Sequence, residues 1–66
     1  MDSESEIASL KAIIALRQQE EKRLQAMITD DSTSAEVRIQ AQTKLGGLLR
    51  DIKVDVEELT KLEADQ

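Results

Sequence analysis

The stretch TSAEVRIQAQTKLGGLLRDIKVDVEELTKL, residues 33–62, decides how this chain folds. Its apolar residues Ala41, Leu45, Leu48, Ile52, Leu59 and Leu62 recur at alternating steps of three and four, apart from a polar place at Asp55. That is a heptad seam, the pattern of a helix that buries one stripe against another helix. One feature cuts across it. Gly46 and Gly47 sit in the middle, and each glycine costs a helix interior about 1 kcal/mol relative to alanine. A break there would give three helices. Leu45, Leu48 and Ile52 keep phase across the pair, which predicts a continuous or gently kinked helix over 33–63.

Upstream lies a partner for that stripe. Ser3 and Glu6 have the spacing of a capping box, and Glu4 and Glu6 suit the positive end of a helix dipole. A helix over 4–28 follows, with no breaker inside it. Its stripe is Ile7, Leu10, Ile14, Leu24 and Ile28, with Ile13 and Met27 on the flank. Ala8, Ala12 and Ala15 lie on another side, with Leu16 between the two. Between Ile7 and Leu16 the helix is thus apolar around much of its circumference, which calls for more than one neighbour.

Thr29-Asp30-Asp31-Ser32 joins the two helices with residues that favour turns and caps over helix interiors. Thr33 with Glu36 reads as a second capping box. Helices joined by so few residues run antiparallel. The expected fold is therefore all-α: an antiparallel helical hairpin that forms one domain over 1–66 and assembles into a four-helix bundle or larger helical oligomer. In that hairpin, folding about Asp31 places Glu21 near Arg38 and Ala41, Arg17 near Leu45, and Asp55 near Ile7. Arg17, Glu21, Arg38 and Asp55 then interrupt the seam with charge. They read either as partly exposed ion pairs of small worth or as residues that fix register and partner choice. Gly46 and Gly47 fall opposite the Ile13–Leu16 level, where they and the small residues Ala12 and Ala15 would let a neighbouring helix come close.

Composition bounds the rest. The chain has 66 residues and contains no aromatic residue, proline, cysteine or histidine. A domain of ~60 residues buries only about 60 % of its unfolded surface. Without disulfides or an aromatic core, self-association is the expected source of stability. Nine basic against fourteen acidic residues give a net charge of −5, which disfavours nucleic acid or an anionic membrane as the main partner. The longest apolar run, Ala12–Leu16, is too short to span a bilayer. The acidic start Met1-Asp2-Ser3-Glu4 lacks the basic character of a secretory signal, so a cytoplasmic protein is expected.

Nothing here reads as a catalytic centre. Serine or cysteine triads need His or Cys partners, and the di-metal bundle signature needs Glu-x-x-His. Gly46-Gly47 lacks the Lys-Ser or Lys-Thr ending of a phosphate loop. Glu20-Glu21 and Glu57-Glu58 are neighbours in sequence that point in different directions on a helix. Asp30-Asp31 lacks the alternating ligands of a calcium loop. A non-enzyme without catalytic residues, cofactor or metal is expected. A second functional reading comes from the carboxylates Asp55, Glu57 and Glu58, which could present an acidic face to a basic site on a larger protein.

The span from about Leu16 to Leu59 combines a helix, the turn Asp30-Asp31-Ser32-Thr33-Ser34-Ala35 and a leucine-rich helix ending in acidic residues. It resembles the helical hairpin of small terminase subunits of tailed phages. That resemblance implies an oligomerisation module of phage descent, since hairpins of this kind build the rings that help a packaging motor select viral DNA. The helix-turn-helix DNA-binding region usual in that family has no counterpart in this chain.

Overall fold

The computed structural model describes residues 3–65 as two helices, α1 over Ser3–Thr29 and α2 over Ala35–Ala64. They pack side by side as a hairpin. The result is a rod of 47 × 15 × 14 Å. At 1.5 Å per residue, helices of 27 and 30 residues account for that length. No strand occurs among the described residues.

The turn is longer than its composition suggests, covering residues 30–34. Asp30 organises it. Its carboxylate Oδ1 accepts from the Ser32 N–H (2.9 Å) and the Ser32 hydroxyl (2.7 Å), and its carbonyl accepts from the Thr33 N–H (3.1 Å). The first of these closes an Asx turn. Hydrogen bonds from the Ser32 hydroxyl and then the Ser32 N–H hold the Asp30 carboxyl below its ordinary range. Thr33 is thereby drawn into the turn and does not cap α2 as its pairing with Glu36 predicts. Ser34 takes that role: its Oγ accepts from the Val37 N–H at 3.3 Å, and its backbone is extended, as a cap residue requires. At the start of α1, Ser3 is already helical, so the position before it, where a cap would sit, lies outside the described residues.

The helix over Ala35–Ala64 runs unbroken through Gly46 and Gly47, and no glycine has a positive φ. Both glycines are exposed, and a Cβ added to either meets nothing within 4 Å. Inside one chain they accommodate no close approach. Gly47→Ala should therefore recover the helix penalty of about 1 kcal/mol and raise Tm by roughly 4–8 °C. A thermal melt followed by circular dichroism checks this, and a lower Tm would show that the position has a packing partner.

Candidate interaction surface

The two helices pack on each other, and the residues they bury belong to the stripes expected from periodicity. Ile7, Ile14, Leu24 and Ala41 are buried, Leu24 and Ala41 to 2 % exposure. The other seven seam residues, Leu10, Ile28, Leu45, Leu48, Ile52, Leu59 and Leu62, are only half-buried. Each helix covers its partner's stripe only in part, and the half-buried residues stay open to the flanks.

The polar residues of the seam pair differently from the expectation. Arg17 forms a hydrogen-bonded ion pair with Asp55, with side chains 35 % and 16 % exposed. Asp55 lies ten residues further along α2 than Leu45, the neighbour expected for Arg17. Two causes act together. The turn sits later in the chain, and helical side chains lean toward the N-terminus of their own helix. In an antiparallel pair α1 side chains therefore lean away from the turn and α2 side chains lean toward it, so the residues that touch have higher numbers on α2. Glu21 and Arg38 are not neighbours either. The Glu21 carboxylate accepts from the Gln25 side chain at 3.4 Å. The Arg38 guanidinium reaches back to the carbonyls of Asp30 (3.2 Å) and Thr33 (3.1 Å), tying α2 to the turn. The four residues thus form one ion pair and two separate local contacts.

The later register also moves the glycines. Gly47 lines an open groove with Glu20, Leu24, Lys44, Leu48 and Asp51, one to two turns below the Ile13–Leu16 level expected opposite it. Ala12 and Ala15 are exposed and no close packing within the chain engages them. The acidic face proposed from Asp55, Glu57 and Glu58 is also divided. Asp55 turns inward to Arg17, while Glu57 and Glu58 remain exposed.

Two flanks border the seam, and they differ in chemistry. On the first, Lys11, Gln18 and Gln25 of α1 run beside Gln42, Leu49, Val56 and Glu63 of α2, each series stepping by seven. An ion pair of 3.6 Å between Lys11 Nζ and Glu63 Oε2 places the two series on one side. Between that pair and the turn these positions carry no charge. Leu49 is 44 % and Val56 43 % exposed. On the second flank, Ile13 and Glu20 of α1 run beside Lys44, Asp51 and Glu58 of α2. Glu20 is held by Arg23, whose Nε donates at 2.9 Å. That hydrogen bond, followed by the nearby charges of Arg23 and Lys44, keeps the Glu20 carboxyl below its ordinary range. The spacing of seven between Leu49 and Val56 is the sequence signal of this flank, and both residues lie beside the stripe that closes the hairpin, not on it.

Among the described residues no group of three or more acidic side chains is placed to hold a metal ion, and no helix is long and apolar enough to cross a membrane. Compared with protein-family models, curated proteins and solved structures, the chain matches none of them.

Proposed function

We propose that this chain is a non-enzymatic helical module that works by self-association, as a homodimer or higher oligomer whose assembled surface organises other partners. The half-open seam carries this reading. Seven of eleven seam residues remain partly exposed, and among the described residues only four side chains supply a buried core. A compact monomer of this mass, 7.4 kDa, exposes roughly 4,200 Å². The hairpin exposes 5003 Å². The excess is close to the ~800 Å² that each partner contributes to a standard protein interface. A second hairpin would cover the half-buried seam residues that a single chain leaves partly wet, and a four-helix bundle is the simplest form that does so. The resemblance to the small-terminase hairpin fits the same role and adds a phage setting and a ring as its expected form.

The alternative is an acidic helix pair that occupies a basic site on a larger protein. It retains Glu57 and Glu58 but loses Asp55 to the ion pair with Arg17. Solution mass distinguishes the two readings. Light scattering needs refractive-index detection here, because the chain has no Trp or Tyr. A mass of at least twice 7.4 kDa that persists on dilution, with helical circular dichroism, is the expected result. A single-chain mass at every concentration would overturn self-association and leave the acidic reading. A ring would favour the terminase kinship over a dimer.

A further inference from the structure

We infer that a second copy of this chain docks on the flank bearing Gln18, Leu49 and Val56, and that the two copies close a four-helix bundle by two-fold symmetry. This rests on the self-association reading and adds the surface that carries it. Three observations converge there.

Charge separates the two flanks most sharply. At the middle of the opposite flank stand Glu20, Lys44 and Asp51, and covering them would strip three charges of water. Gln18, Gln25, Gln42, Leu49 and Val56 carry none. Interface cores are depleted in charged residues for this reason. The chain as a whole is at −5. The uncharged flank with its outer rim holds Lys11, Lys22 and Lys53 against Glu4 and Glu63, three positive charges against two negative. Two acidic chains therefore repel each other least when these flanks face.

Shape and area agree with that choice. Leu49 and Val56 stand beside the half-buried Leu45, Ile52 and Leu59, so covering them also seals the open edge of the seam. At the rim lie small residues, Ala15 on α1 and Gly46 on α2. The space over Gly46 is empty to 4 Å within its own chain, which leaves room for the backbone of another helix. One such flank per chain gives a closed pair, and the excess exposure of the hairpin is about what one such interface removes.

The test uses the full chain and two double variants. Leu49→Lys with Val56→Lys places charge in the proposed interface. Ile13→Lys with Val54→Lys places the same charge elsewhere, since Ile13 and Val54 are 41 % and 56 % exposed on the other side. Solution mass on dilution and helical circular dichroism are read for each. The wild type should be a dimer. The first variant should be a helical monomer with association weakened roughly 100-fold or more, as loss of two central contacts implies, and the second should stay within a few-fold of wild type. Should the lysine pair unfold the chain, Leu49→Gln with Val56→Gln replaces both by a good helix former already present in the row, and weakened association is again expected. A dimer that survives the Leu49 and Val56 substitutions overturns the choice of flank while self-association stands. A wild type larger than a dimer overturns the two-fold closure. A wild type that is monomeric throughout overturns both readings.

Discussion

Replacing Leu24 by aspartate is expected to abolish the folded hairpin. Leu24 is 2 % exposed, and among the described residues only Ile7, Ile14 and Ala41 are also buried. Loss of a buried leucine side chain alone removes about 2–5 kcal/mol. A carboxylate at that position adds the penalty of a charge among apolar neighbours, several kcal/mol more unless it takes up a proton. A single core of this size supplies only ~3–5 kcal/mol in total. The penalty therefore exceeds the reserve. Far-ultraviolet circular dichroism should show loss of most helical signal at 25 °C, and the cooperative melt should vanish. Leu16→Asp is the fitting control, because Leu16 is 65 % exposed and substitution at such a place is worth within about 0.5 kcal/mol. A Leu24→Asp chain that melts cooperatively near the wild-type Tm would mean that the seam is not the core.

The seam could be read in the sequence because its information is local. A step of three and four from Ala41 to Leu62 fixes which stripe of α2 is apolar, whatever that stripe touches. The same holds for Ile7 to Ile28 on α1, and of the eleven residues four are buried and seven half-buried. Continuity through Gly46-Gly47 followed from the same phase. Register is a different kind of property. It depends on where the turn closes, and Thr33 and Ser34 are equally suited to begin a helix. The choice falls to Ser34 because Asp30 engages both Ser32 and the Thr33 N–H. Side-chain lean then carries Arg17 past Leu45 to Asp55, a shift that residue counting about Asp31 does not contain. The candidate interface was hidden for a related reason. Gln18, Leu49 and Val56 are unremarkable as single residues, and they form a surface only when α1 and α2 are laid side by side with Lys11 against Glu63.

Replacing Arg17 and Asp55 together by leucine is expected to stabilise the hairpin and to loosen its register. The pair is partly shielded from water, at 35 % and 16 % exposure. Exchange of a shielded ion pair for well-packed apolar residues is neutral or stabilises by about 1–4 kcal/mol. Here the exchange joins Ile14 to Leu24 and Ile52 to Leu59 in less interrupted stripes, which favours the stabilising end. Asp55→Leu alone should instead destabilise, since it leaves Arg17 without its carboxylate, though a guanidinium with a third of its surface in water can turn outward. Thermal melts separate these outcomes: Tm should rise in the double variant and fall in the single one. Register responds in the opposite sense. Apolar contacts between leucines are nearly equivalent when one helix slides by a heptad, whereas a single ion pair across the seam is satisfied in one alignment only. Amide spectra of the double variant should therefore show more than one set of resonances for residues near Lys11 and Glu63. The charge-exchanged chain, Arg17→Asp with Asp55→Arg, should return to a single set because it restores one favoured alignment. A double-leucine chain that is more stable and keeps one set of resonances would assign register to the turn at Asp30 and Arg38 alone.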